Sequence, residues 1–290
     1  MKTTIKSSEL ILRDDGSIYH LGLKPDEITT KIIVVGDPSR VELISSFFDK
    51  ILLSRQNREF HSVLGIYKNK KILAISSGIS SDNVDILISE LDALANIDFD
   101  TRQVKETLTK LTIVRIGTCG GVSDNVDLGD FVLSRYAIGG ELLLNYYNDS
   151  PSICVSEAQE QFVKYVGWNK SLLGTPYCVE ASMSLVKEMK EGSKEGITYC
   201  AGGFYAPQGR MLRLSSSIGD FPSKVEGFSY NGVPLLNIEM EGAAVVGLAR
   251  LLGHEALTMC VIVAHRKKKS VNINYGERVS QLIKHVLDKI

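Results

Sequence analysis

The sequence predicts an α/β fold built as one continuous domain over residues 1–290. Three observations carry that expectation. Short β-branched apolar runs recur along the chain, stretches of helical apolar spacing follow several of them, and no repeat, low-complexity linker or composition boundary divides the 290 residues. A net charge of -1 with 44% hydrophobic and 23% charged residues is an ordinary globular balance. It offers no argument for nucleic acid or a membrane surface as partner. No apolar run is long enough to span a bilayer, and MKTTIKSSEL lacks the apolar core of a signal peptide, so a cytoplasmic protein is expected. Five cysteines, Cys119, Cys154, Cys178, Cys200 and Cys260, are odd in number and scattered without metal-ligand spacing. They read as reduced packing residues.

The elements follow in order. Lys31 to Gly36, KIIVVG, is a buried strand, with Asp37-Pro38 opening a helix from about Val41 to Phe48. Gly65–Tyr67 and Ile72–Ser76 read as strands joined by the charged turn Lys68–Lys71. Asp82 is a candidate N-cap for a helix Val84–Leu94 that places Ile86, Leu87, Leu91 and Leu94 on one face. Leu111–Ile116 is a strand ending in a glycine-rich corner, Gly117 to Gly121, and Phe131–Ile138 is another strand. Leu142–Trp168 is the least readable segment and reads as an insertion or irregular subdomain. Strands at Pro176–Glu180 and Ile197–Phe204 flank a helix near Met183–Met189. A strand ending at Glu239 precedes an apolar helix, and Leu257–Val263 and a helix from about Gly276 to Ile290 close the chain.

The segment from Leu235 to Arg250, LLNIEMEGAAVVGLAR, organises the rest. It reads as strand, acidic corner and helix, and ligands of open α/β sheets gather at strand carboxyl ends. Glu239 and Glu241 in apolar surroundings need polar partners. A hydroxylated ligand supplies them; so would backbone amides or basic side chains around a purely structural pair, and the local sequence leaves both readings open. Gly36-Asp37-Pro38-Ser39-Arg40 joins a helix start to a guanidinium and suits an anion, although a plain turn reads as well. Arg115 lies inside an apolar strand, where an unpaired charge is expensive, so it needs a partner or a cavity. Arg58 and Arg210, each taken alone, would more often be surface arginines. No GxSxG elbow, HExxH, Walker A loop or GxGxxG is present. The inventory suggests an anion held by arginines beside a hydroxylated group held by carboxylate. His61, His254 and His285 read as structural or exposed, and Cys119 as a small packing residue between glycines.

GDPSRV, RIGTCGG and NIEMEGAA, in this order, resemble the nucleoside phosphorylase family, most closely its uridine phosphorylases. YHLGL at Tyr19–Leu23, Arg58-Glu59-Phe60 and Phe204 through Gln208-Gly209-Arg210 fit the same pattern, and the matches run from about His20 to Arg266. The resemblance implies a mixed, partly barrel-like central sheet flanked by helices. It implies phosphate held by Gly36, Arg40, Arg115 and Thr118, with Arg58 from a neighbouring subunit. Ribose would lie on Met240 and Glu241, with His20 of the partner reaching the 5′-hydroxyl. The base would be read by Gln208 and Arg210, with Phe204 packing nearby, Arg266 assisting indirectly, and Glu239 supporting the base-reading groups or a water. Arg115, Glu241 and Arg210 would carry catalysis. No cofactor would be required, since inorganic phosphate is the co-substrate; at Glu59 some bacterial relatives hold a monovalent cation such as K+ between subunits. A homo-oligomer with shared sites is implied, a two-fold dimer at least.

Purine-cleaving relatives carry an aspartate after the last core strand, whereas here it ends Val263-Ala264-His265-Arg266, which favours a pyrimidine. His265, Gly209 and Ser77–Asp82 depart from the usual pattern and leave open uridine, deoxyuridine or thymidine. Lys267–Lys269 with Ser270–Tyr275 reads most simply as a solvated loop, with a lid as the alternative. A purine phosphorylase, a nucleosidase of the same superfamily and a non-catalytic nucleoside-binding homologue are the competing readings. Arg40, Arg58 and Arg115 argue against the nucleosidase.

Overall fold

Strand β1 (Lys31–Val35) shows how the sheet is buried: Ile32 and Val34 join one apolar cluster, Ile33 and Val35 another, and none is exposed. A strand covered on both faces is apolar at its covered positions, and this one is from Ile32 to Val35. The computed structural model describes residues 4–290. After β1 the chain forms α1 (Pro38–Ser45), then β2 (Lys50–Asn57), β3 (Phe60–Tyr67), β4 (Lys70–Ser76) and α2 (Ser81–Asn96). The short pair β5 (Ile97–Asp98) and β6 (Gln103–Val104) leads to β7 (Thr112–Gly121) and β8 (Phe131–Gly139). Next come α3 (Ser156–Val166), α4 (Lys170–Leu173), β9 (Tyr177–Glu180), α5 (Met183–Met189) and β10 (Lys194–Cys200). The last third holds α6 (Phe221–Val225), β11 (Ser229–Tyr230), β12 (Val233–Glu239), α7 (Gly242–Leu251), β13 (Glu255–His265), β14 (Ser270–Val271) and α8 (Gly276–Lys289).

The main sheet runs β11-β12-β10-β8-β13-β7-β1-β4-β3-β2, with β9 on β8 and β14 on β13. An additional antiparallel pairing, Asn237 with Gly121 and Ile238 with Gly120, joins β12 back to β7. It closes β12, β10, β8, β13 and β7 into a five-stranded ring, the partly barrel-like mixed sheet expected. The same closure brings the C-terminal ends of β7 and β12 together. Helices α2 and α7 pack on one side of β1, and α1, α5 and α8 on the other. Among the described residues no helix is long and apolar enough to cross a membrane.

Several local expectations change. The Gly117–Gly121 stretch is not a corner; it continues β7, paired with β13 across a register shift between Ile262 and Ala264. Asp82 lies inside the first turn of α2, where it accepts from the Ser80 hydroxyl, and Ser80 occupies the N-cap. Leu142–Trp168 contains α3, whose Phe162 is fully buried in an aromatic cluster with Tyr199 and Phe228. Strand β2 carries no clear sequence signal because its side chains are mostly exposed and polar, as an edge strand allows. Of the two alternatives for the histidines, His254 and His61 take the structural one, buried at 4% and 9% exposure, and His254 Nδ1 accepts from the Leu111 amide. In the expected loop, Ser270–Val271 pairs with the end of β13. The cysteines are all free, and Cys119 is buried.

Candidate active site

The acidic corner is built by one carboxylate serving four partners. Glu239 ends β12, and its side chain accepts the amide N–H groups of Glu241 (3.0 Å) and Gly242 (2.9 Å) at the start of α7. A helix N-terminus leaves such amides unpaired and favours negative charge there. Glu239 also ion-pairs with Arg115 Nη1 at 2.9 Å and accepts from the Cys200 thiol. Among the described residues it bonds neither Gln208 nor Arg210; its contacts fix the acidic corner itself. Glu241, the residue before α7, accepts Arg115 Nη2 on one oxygen and the Ser80 amide on the other, at 2.9 Å. Burial pushes the Glu241 carboxyl up, Arg115 opposes that, and Glu239 adds to it.

Arg115 therefore sits between two carboxylates at 4% exposure, with its Nε buried and unpartnered. Burial alone would lower its pKa; Glu239 and Glu241 more than offset that and hold it above the ordinary value. The guanidinium folds back over Gly117, where an added Cβ would stand 2.5 Å from Nη1 and 2.9 Å from Cys260 Sγ. Only a residue without a side chain leaves that space.

A cavity of about 600 Å³ opens above this network. Its wall combines Gly36 and Arg40 after β1, Arg115 and Thr118 on β7, Met240 and Glu241 before α7, and Phe204, Gln208 and Arg210 from the loop after β10. Arg40 is half-buried at the start of α1, which Asp37 caps through the Ser39 amide at 2.9 Å. Arg210 donates to the Gln208 side-chain oxygen and to the Phe204 carbonyl, and lies 3.9 Å over the Phe204 ring. Burial, with Arg266 second, lowers Arg210 to about 10.

Three expected residues lie outside this wall. His20 pairs through Nδ1 with Glu90 at 2.6 Å, Arg58 is exposed at the β2–β3 turn over the Tyr19 ring, and Arg266 lines an adjacent cavity. Glu59 packs beside Gly78, and Ser76 donates to its carbonyl. Among the described residues no group of three or more His, Cys, Asp or Glu is arranged to hold a metal ion. The sequence reading missed Ser80, whose φ of 98° is strained for a residue with a side chain and aims its amide at Glu241. Its signal was the Gly-Ile-Ser-Ser run after a strand. Cationic groups beside a held carboxylate, in a half-open cavity, can position an anion against a polyol.

The ring-closed mixed sheet and the cavity at the joined ends of β7 and β12 define an α/β protein of one recognisable kind. The model of the phosphorylase superfamily matches residues 30–288, and the chain belongs to that superfamily, as a member of its nucleoside phosphorylase family. It is 25% identical over 286 residues to a uridine phosphorylase of Thermococcus kodakarensis, covering 96% of this chain and 87% of that one. A purine nucleoside phosphorylase of Mycoplasma pneumoniae is 24% identical over 244 residues, covering 84% of each. A nucleoside phosphorylase of Trypanosoma brucei, described as showing uridine phosphorylase activity, superposes with a TM-score of 0.85 at 28% identity, over 97% of this chain and 100% of that structure.

Proposed function

We propose that the chain catalyses the reversible phosphorolysis of uridine, and of deoxyuridine or thymidine within the same pocket, to the free base and the pentose 1-phosphate. The observation that carries a pyrimidine over a purine is the base end of the cavity. Gln208 and Arg210 present an amide and a guanidinium there, while β13 ends Val263-Ala264-His265 without a carboxylate. An amide oxygen and nitrogen complement the N3–H and a carbonyl of uracil. The Thermococcus and Trypanosoma relatives support this reading; the Mycoplasma relative favours the purine alternative.

In this scheme phosphate binds among Gly36, Arg40, Arg115 and Thr118, and Glu241 accepts from the ribose hydroxyls. A phosphate oxygen bonds to C1′ as the C1′–N1 bond breaks, and the base leaves with the electron pair. Arg210 stabilises the departing anion, which then takes a proton from solvent. Positioning and preorganised charge supply the rate, with no nucleophile from the protein. His20 and Arg58 complete the site from a partner subunit, which makes a two-fold dimer the working unit. Inorganic phosphate is the co-substrate.

Uracil release from uridine, with and without phosphate and with inosine in parallel, tests the reading. Phosphate-dependent release from uridine is expected, with inosine untouched. Release without phosphate, or cleavage of inosine alone, would overturn it.

A further inference from the structure

Behind the base end lies a second cavity, of about 620 Å³, lined in part by Asp220, Ser223, Arg266 and Lys269. The two cavities share Phe204, Arg210, Ala264 and Val271, so Arg210 stands on the wall between them. Arg266 enters the second from the end of β13. Its stem lies along Gly120, where an added Cβ would come within 3.3 Å of Cγ, and its Nη1 is buried without a hydrogen-bond partner. Among the described residues neither Arg210 nor Arg266 has an ion-pair partner; Asp220 acts on Arg266 only through space. Burial holds both guanidiniums below their ordinary value, and their mutual repulsion adds to this at Arg210. Lys267 is committed to Asp124 (2.6 Å) and Glu226 (2.5 Å), whereas Lys269 adds a cation at the exposed rim. The compartment is therefore short of negative charge.

Uracil carries only carbonyl oxygens and N–H groups. It would engage Arg210 directly, reach Arg266 at most indirectly, and leave the second cavity empty. We infer that the second cavity receives an anionic substituent carried by the pyrimidine base, with a carboxylate on C5 as the simplest case, held between Arg210 and Arg266. A planar carboxylate matches a guanidinium fork and supplies the missing counter-charge. This rests on reading the first cavity as the nucleoside site.

Calorimetric binding of 5-carboxyuracil and thymine to the full chain in phosphate tests it, since both fill the C5 position and only one brings charge. 5-Carboxyuracil is expected to bind at least about tenfold more tightly, the scale of one charge-assisted contact. The ratio of the two affinities should fall several-fold in Arg266→Gln and in Lys269→Glu. Equal affinities, or a ratio that Arg266→Gln leaves intact, overturn the inference. So does formate that tightens uracil binding as much as the attached carboxylate, because the pocket would then take a separate anion. Uridine phosphorolysis run alongside keeps the two claims apart. Cleavage of uridine without a carboxylate preference overturns this inference alone. A carboxylate preference without cleavage supports the site and overturns the reaction.

Discussion

Glu141 follows β8, takes the Tyr177 hydroxyl on one carboxyl oxygen, and leaves the other, Oε2, buried without a partner. The residue as a whole is half-buried, but that oxygen is covered. Burial pushes its carboxyl up to about 8 from 4.5; the Tyr177 hydrogen bond works against this and the Glu239 charge with it. A carboxyl whose pKa is raised on folding favours the protonated, folded chain. Its contribution is complete below about pH 4.5 and is lost as pH rises through about 8. Melting temperature should therefore fall across that window, and Glu141→Gln, whose amide cannot ionise, should flatten the fall and be the more stable chain at the alkaline end. Parallel pH profiles of the two melting temperatures would assign the loss to other groups. At this scale the sequence was mute: Glu141 in GGELLLN carries no mark of the covered oxygen, and even the partner of its other oxygen, Tyr177, lies more than thirty residues away. Arg115 was legible, because an arginine inside an apolar strand must be answered by carboxylates wherever the chain brings them. Its partners proved to be both Glu239 and Glu241.

Strand β7 and helix α7 meet through these groups, and their contact depends on space as much as on charge. Gly117→Ala would place a methyl 2.5 Å from Arg115 Nη1. The nitrogen belongs to a flexible side chain, but its two ion pairs and the Cys260 sulfur leave it little room, so the guanidinium should move off Glu239 and Glu241. The expected result is a fall in kcat/KM on the order of 10²-fold, typical of misplaced catalytic groups. It should come mainly through a raised KM for phosphate, with about 1–3 kcal/mol of stability lost to overpacking. An unchanged KM for phosphate would show that Arg115 does not serve that anion. The elements themselves were largely legible, since α5 falls at Met183–Met189 as its spacing indicated and β1 reads as a doubly covered strand. Ring closure was not legible from periodicity. It is a pairing of Gly120 and Gly121 with Ile238 and Asn237, and glycines read as a turn until a distant strand claims their backbone. The exposed strand β2 failed for a related reason: it is held by its pairing with β3 rather than by a buried face of its own.

At the scale of the whole molecule the open question is how many chains make a site. His20 and Arg58 lie away from the cavity their own chain forms, His20 held by Glu90 and Arg58 exposed. If a two-fold partner brings them to the neighbouring cavity, each site draws Glu241 from one chain and Arg58 from the other. Arg58→Ala would then damage the partner's site, and Glu241→Ala its own. Each variant alone should be nearly inactive. Co-expressed at equal levels, half of the dimers are mixed, and in each mixed dimer one site has both intact residues. The preparation should regain about one quarter of wild-type specific activity, by the counting that two-fold symmetry imposes. Cavities complete within one chain would instead give no more than the average of the two variants. Steady-state rates on separately purified and co-expressed proteins distinguish these outcomes, and recovery near a quarter would fix Arg58 as a residue that works across the interface.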